Sequence, residues 1–465
     1  MRIGLGRKAG RAMRYAERTS VKASQIASGA ATPRARGFVA VLTVVLLFAA
    51  TGGAAGATAT TVRESVGSNG GQANSFGADP AISADGRFVA FISGASNLVP
   101  GDTNGAIDVF VRDRQAGTTS RVSVPTGGGQ ANDFSDVPAI SADGRFVAFI
   151  SAASNLVPGD TNGVFDVFVR DRQAATTSRV SVASGGGPAN GTSFNPSISA
   201  DGRFVAFSSA ASNLVAGDSN DSNDVFVFDR QTATTTMVSV RSNGGQANNG
   251  SSTPSISGDG GSVAFVSVAS NLVSGDTNRM ADVFVHDRQS GTTSRVSVSS
   301  DGHQAAKRRS DSPSISADGR FVAFVSLASN LVADDTFGKA DVFVHDRQTG
   351  ATSMVSLRTN GAQVDWPSLD PSISADGRYV AFRSGAAKLV AGDTNGKPDE
   401  FVHDRQTGTT SRVSVRTNGG QANGNSDVAS ISADGRFVAF DSFASNLVAG
   451  DTNGVSDVFV RGPLY

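Results

Sequence analysis

The chain has 465 residues, 54 of them Gly and none Cys, and a net charge of −1. The missing Cys excludes disulfide staples and the usual Cys-based zinc sites, although a core of this size needs no staples to survive export. Residues 1–57 hold nine Lys and Arg against Glu17 alone, a net of +8, so the chain's −1 leaves −9 for the remainder. An acidic body lacks the clustered positive charge that nucleic acid demands, so no nucleic-acid partner is expected.

A basic leader runs into the apolar stretch Phe38-Val-Ala-Val-Leu-Thr-Val-Val-Leu-Leu-Phe-Ala-Ala50 and then into small residues ending Ala55-Gly-Ala57. A positive segment, a short apolar run and an A-x-A pattern describe a secretory signal. The run is shorter than the roughly 20 residues of a spanning helix unless Gly and Ala up to residue 57 are counted. Residues 1–57 are therefore expected to be a signal peptide with a long basic leader. Left uncleaved, the segment would be the one membrane anchor. The destination is the periplasm, the cell surface or the medium.

From residue 58 the chain repeats. Ile82-Ser-Ala-Asp-Gly-Arg-Phe-Val-Ala-Phe91 recurs with its Asp-Gly at 85, 143, 201, 259, 318, 376 and 434, in steps of 58, 58, 58, 59, 58 and 58. A fixed period is the mark of a repeat architecture. Within one unit, residues 80–83 form a short extended run and Asp85-Gly86 a two-residue hairpin turn. Residues 88–93 then read as a strand apolar on both faces. After a longer loop, residues 108–112 give a third strand, and a tight turn leads to a fourth that alternates through Val122 and Val124.

Four hairpin-linked strands cannot bury both faces alone, so seven copies predict a seven-bladed β-propeller of four-stranded antiparallel blades over residues 58–465. The seventh unit stops after its third strand, and an unclaimed strand stands at 61–66. The N-terminal strand is thus predicted to complete the last blade and close the ring.

The signature Ile-Ser-Ala-Asp-Gly-Arg-Phe-Val-Ala-Phe, followed by Asp-Val-Phe-Val-Arg-Asp-Arg-Gln, resembles the TolB-type, WD-repeat-like propeller family. The resemblance covers residues 59–465 and implies an all-β propeller; it is specific for fold and weak for function.

Strand direction places both long loops of every blade on one face and the tight turns on the other. Binding is expected on the long-loop face. There, the set Asp102, Asn104 and Asp108 recurs five times. The copies are Asp160, Asn162 and Asp166; Asp218, Asn220 and Asp224; Asp276, Asn278 and Asp282; Asp393, Asn395 and Asp399; and Asp451, Asn453 and Asp457. The spacing is compatible with weak Ca²⁺ binding, as in the opening of a calcium loop, and equally with Asx-turns bonding local backbone. Blade 5 breaks this pattern with Phe337. Together with His303, Lys307, Arg308, Arg309, Lys339 and the single tryptophan, Trp366, it predicts a basic, aromatic ligand-binding patch suited to an anionic glycan or an acidic protein surface.

Catalytic signals are sparse. There is no G-x-S-x-G elbow, and Glu occurs only at 17, 64 and 400. His286, His345 and His403 share a strand position with Arg112, Arg170, Phe228 and Arg461. The expectation is a monomeric, non-catalytic module that binds an envelope or extracellular protein or a glycan and requires no cofactor. Two alternatives stay open. One is a polysaccharide lyase or hydrolase acting at the mouth of the central channel, which clustered Asp and Arg unlike the repeat average would favour. The other is a calcium-stabilised adhesive propeller.

Overall fold

The computed structural model describes residues 58–183, 185–306 and 308–465. The signal expected at residues 1–57 lies outside them. The described residues form seven four-stranded antiparallel sheets. In blade 1 the strands Gly77–Ile82, Phe88–Ser93, Asp108–Asp113 and Thr118–Arg121 follow one another across the sheet. First strands of neighbouring blades touch all the way round, which sets them about the axis and the fourth strands at the rim. The last blade takes its fourth strand from the other end of the chain. Thr60–Arg63 pairs antiparallel with Asp457–Gly462, with Thr61 opposite Arg461 and Val62 opposite Val460. The ladder is shorter than the predicted 61–66 because Val66 turns away to bridge Gln72.

The repeat signature is accounted for at the short turns. Asp85 Oδ1 accepts hydrogen bonds from Ser83 Oγ at 2.7 Å and from Arg87 N at 2.9 Å, which sets the turn. Arg87 forks onto Asp113 at 3.0 and 2.7 Å, the bidentate geometry that makes an arginine–carboxylate pair strong. From blade 2, Arg172 donates to Gly144 O at 2.6 Å and lies 4.7 Å over the ring of Phe88. Gly144 holds φ +70°, and a Cβ there would overlap the Phe88 ring.

One row of backbone hydrogen bonds joins the blades. Ala84 N donates to Ala142 O at 3.0 Å, and the step repeats through Ala200, Gly258, Ala317, Ala375 and Ala433. Ala433 N then returns to Ala84 O at 3.1 Å. Between sheets, paired phenylalanines fill the gap; Phe91 and Phe110 stack with centroids 5.9 Å apart, and each of the other blades repeats the pair. Each first strand is bulged at its third residue, which holds a positive φ and stays half-buried: Asp79, Val137, Asn195, Thr253, Ser312, Asp370 and Val428.

The turn glycines give a direct test of the interlock. Gly202 (φ +72°) lies under the Phe146 ring, whereas Gly217 (φ +82°) has open space where a Cβ would go. Gly217→Ala should lose about 1 kcal/mol for backbone strain alone. Gly202→Ala should lose about 1–3 kcal/mol more, because the neighbouring blade must shift. Urea unfolding of the two variants measures the difference, and equal losses would show that the ring contact contributes nothing.

Candidate active site at the loop-face mouth of the channel

The strand register defines one layer of side chains just inside the long loops. In blades 1 to 5 its second-strand members are Ile92, Ile150, Ser208, Val266 and Val325, and its third-strand members Val109, Val167, Val225, Val283 and Val342. Blades 6 and 7 depart from this. Arg383 and Glu400 face each other across adjacent strands of blade 6. In blade 7, Asp441 stands opposite Asp427 of the first strand. Two otherwise apolar columns, one on the second strand and one on the third, therefore carry three charged residues at one place.

Arg383 Nη1 lies 3.3 Å from Asp427 Oδ1, and these two side chains are 14% and 20% exposed. Glu400 and Asp441 sit behind them at 0% and 1%. Both carboxylate oxygens of Glu400 are buried without a hydrogen-bond partner, an expensive arrangement for a charged group. Burial pushes Glu400 well above the ordinary carboxylate range, with Asp427 adding to the rise and Arg383 opposing it. Asp441 is pushed up in the same way by burial and by the charges of Asp427 and Asp79, against a hydrogen bond of 3.0 Å from Ser456 Oγ. Two buried acids, both pushed toward the protonated form, thus stand behind an ion pair near the channel, with Asp79 and Asp370 at the neighbouring bulges. Environments that separate otherwise similar acids mark functional sites.

The residues expected to bind a ligand lie elsewhere on the loop face. His303 Nδ1 is 2.9 Å from Asp301 on an exposed turn. Arg309, 67% exposed, lies 4.0 Å from Asp311. Arg308, Lys339 and Phe337 are exposed, and Trp366, 49% exposed, packs over Gly385 of the next loop. Lys307 lies outside the described residues. These groups are spread along an outer rim and are not gathered into a pocket. A cleft lined by Arg295, Asp318, Gly319, Arg320 and His345 opens on the short-turn side between blades 4 and 5, away from the charged layer.

The recurrent loops considered for Ca²⁺ are tied together internally. In blade 1, Asn104 Nδ2 and Ser123 Oγ donate to Asp108 at 2.9 and 2.6 Å, and Arg121 Nη1 reaches Asp102 at 3.0 Å and Asp108 at 3.1 Å. The other asparagines do the same. Asn162 donates to Asp166 at 2.8 Å, Asn220 to Asp224 at 2.8 Å and Asn278 to Asp282 at 2.7 Å. Asn395 donates to Asp399 at 2.7 Å and Asn453 to Asp457 at 3.0 Å.

Only the amide oxygen of an asparagine could bind a cation, and in Asn104, Asn162, Asn220, Asn278, Asn395 and Asn453 that oxygen accepts the backbone N–H two residues on, at 2.9–3.3 Å. Each is an Asx-turn whose other end caps a carboxylate. The acids are likewise occupied in most blades. Arg179 pairs with Asp160 and Asp166, Arg295 with Asp276 and Asp282, Arg412 with Asp393 and Asp399, and Arg63 with Asp451 and Asp457. In blade 3, where the acids are Asp218 and Asp224, Met237 stands in the arginine position.

His286, His345 and His403 each meet a fourth-strand Thr hydroxyl through Nδ1 at 2.9 Å. Arg112 and Arg170 bond the same Thr position, at 3.2 and 3.1 Å, which explains the interchange. Burial lowers the pKa of these histidines, that of His403 to about 4.

No family model and no curated protein matches the sequence. Solved structures do resemble the fold. An oligogalacturonate lyase in complex with manganese aligns over 87% of this chain and 90% of its own, at 12% identity and a TM-score of 0.50. The β-propeller domain of the Trilobed protease from Pyrococcus furiosus aligns over 83% and 95%, at 11% identity and a TM-score of 0.50. TolB from Acinetobacter baumannii aligns over 65% and 58%, at 15% identity and a TM-score of 0.37. At such identities the likeness establishes the seven-bladed fold and nothing finer. The comparisons nevertheless correct the expectation of a non-catalytic module, because the propellers aligned at 0.50 belong to a lyase and to a protease. The lyase's manganese has no evident counterpart. Among the described residues no three His, Asp or Glu side chains gather in metal-binding geometry, and three of the four histidines are engaged with Thr, so no step is routed through that ion.

Glu400 makes the layer testable by pH. Its folded pKa is raised above the ordinary 4.5, so as pH climbs the unfolded chain releases this proton first and the folded state loses stability. Glu400→Gln should melt higher than the wild type at about pH 8 and equally at about pH 3.5. A wild-type advantage at the higher pH would mean that Glu400 is ionised and stabilised by Arg383.

Proposed function

We propose that this protein is an exported enzyme that cleaves a polysaccharide, with its chemistry at the loop-face mouth of the channel between blades 6 and 7. The carrying observation is that Arg383, Glu400 and Asp441 stand where the other blades place Ile, Val or Ser, with Arg383 paired to Asp427, whose own column also holds Asp136 and Asp311. Cleavage of a glycosidic bond runs on carboxyl groups held in different protonation states around one sugar unit. Asp427 and Arg383 open on the channel and are the members that would touch substrate. Asp427 takes a proton from the water whose oxygen bonds the anomeric carbon and returns it to the sugar oxygen that departs as the glycosidic C–O bond breaks, and Arg383 hydrogen-bonds the sugar. Glu400 is a positioning residue: it packs across the strand from Arg383 without bonding it, and kept uncharged it leaves the guanidinium charge directed at Asp427 and the channel.

The substrate class follows from charge. Asp79, Asp370 and Asp427 ring the mouth on an acidic body, a field that repels polyuronates and admits neutral or basic glycans. Hydrolysis therefore fits this mouth better than the elimination chemistry that the lyase's name implies for the lyase. Export is supported by the composition of residues 1–57.

The full protein should release reducing ends from at least one neutral or basic polysaccharide in a panel that also includes polyuronates. Asp427→Asn and Arg383→Ala should each lower that rate about 100-fold or more, with circular dichroism unchanged. Release of unsaturated uronate products would replace hydrolysis with elimination. An inert panel, or full activity in Asp427→Asn, would overturn the proposal.

A further inference from the structure

The seven blades act as controls for one another at a second buried position. In five of them the fourth strand contributes an arginine, 7–11% exposed, whose guanidinium sits between two loop-face carboxylates at 3.0–3.7 Å: Arg121, Arg179, Arg295, Arg412 and Arg63. A glutamine at a fixed register adds its Oε1 to the same guanidinium, as Gln304 does to Arg295 at 2.9 Å and Gln421 to Arg412 at 3.2 Å. Such a cation meets oxygens from three side chains. Blades 3 and 5 carry Met237 and Met354 in place of the arginine, yet keep the acids Asp218 with Asp224 and Asp335 with Asp341.

Blade 5 is the sharper case. Asp335 is 6% exposed, and neither of its buried carboxylate oxygens makes a well-formed hydrogen bond, although the Phe337 and Gly338 amides and the Gln363 side chain lie near enough to favour its charged form. Asp341, 2% exposed, accepts Ser356 Oγ at 2.7 Å on one oxygen. The amide that elsewhere caps the second oxygen is gone, because Phe337 stands in the asparagine position. Gln363 keeps its register: its Nε2 is 3.6 Å from Met354 Sδ, and its Oε1 accepts from Thr336 N at 3.1 Å. In blade 3, by contrast, Asp224 keeps both Asn220 and Ser239 as donors, at 2.8 and 2.6 Å.

We infer that blade 5 binds a hard metal cation of the Ca²⁺ class between Asp335 and Asp341, in the place that a guanidinium takes in five other blades. Two buried carboxylates without a countercharge are strongly unfavourable, and oxygen donors from acids, completed by loop carbonyls and water, are what Ca²⁺ takes. The competing solution is a proton shared by the pair. The loops that carry arginine need no such ion.

The test is the melting temperature of the full protein near pH 7.5, first with chelator and then with millimolar Ca²⁺ or Mg²⁺. A ligand of the native state must stabilise it, so Ca²⁺ should raise Tm by about 2 °C or more. Met354→Arg supplies the internal cation. It should melt above the chelated wild type and lose its response to Ca²⁺. Asp335→Asn should lose the response as well, which keeps the test decisive if the arginine variant misfolds. Calorimetric titration with CaCl₂ should show binding in the wild type and its loss in Asp335→Asn. A wild-type Tm indifferent to both ions, or an undiminished response in Asp335→Asn, would overturn the inference in favour of a shared proton. Glycan cleavage at the mouth is read by a different assay and stands or falls separately.

Discussion

Each short turn hands a backbone amide to the carbonyl of the next, and the seventh hand-over, Ala433 to Ala84 at 3.1 Å, closes the series. A closed series leaves no blade free to drift, because any change of pitch in one step must be absorbed by the others. Blade 4 shows which contacts this closure depends on. It lacks both the arginine and the phenylalanine of the turn, having Gly261 and Ser262, and Arg347 of the next blade bonds Ser262 Oγ at 3.2 Å where its counterparts stack on a ring. The amide of Gly258 still reaches Ala317 O at 2.9 Å. The backbone ring persists where the cation–π layer is lost, so the side-chain layer reinforces the closure but does not create it.

A scaffold fixed at one face can carry unfavourable groups at the other. Glu400 and Asp441 occupy a layer that is apolar in most blades, and removing such charges from water is opposed by several kcal/mol each. Local unfolding would relieve that strain in an open sheet. Here the strands are held at the short-turn end by the ring and at the rim by the pairing of Thr60–Arg63 with Asp457–Gly462. Strain of this kind is kept only where the surrounding structure over-determines it, and such places cluster at functional sites.

Much of the fold was legible because its causes are local. Asp-Gly turns, two-faced apolar strands and the unpaired strand near residue 61 each announce themselves within a few residues. The charged mouth was not legible in that way. Arg383, Glu400, Asp427 and Asp441 span a whole repeat of 58 residues, and each alone resembles drift in a degenerate copy. Only the register, which sets Arg383 opposite Glu400 and Asp427 opposite Asp441, shows that they share one layer. Aligning the seven copies column by column and looking for charge where the others place Ile or Val would have exposed three of the four. The loops built on Asn104, Asn162, Asn278, Asn395 and Asn453 were ambiguous for a related reason. Their acids' principal partner, such as Arg121, enters from the next strand 13 residues beyond Asp108, and nothing in the loop itself says where that guanidinium points.

The two charged features of the loop face obey one rule with opposite outcomes. Buried carboxylates need positive charge, and in five blades the fourth strand supplies one arginine to two acids, with an asparagine and a serine completing the bonds. The result is a closed, inert knot. At the mouth a single guanidinium, Arg383, faces Asp427 and Glu400, with Asp79, Asp370 and Asp441 close by. Negative charge exceeds positive there, and burial pushes Glu400 and Asp441 well above the ordinary carboxylate range. That imbalance sets the mouth apart from the knot: in the knot each acid pairs with a guanidinium, whereas at the mouth two buried acids stand without a hydrogen bond to one.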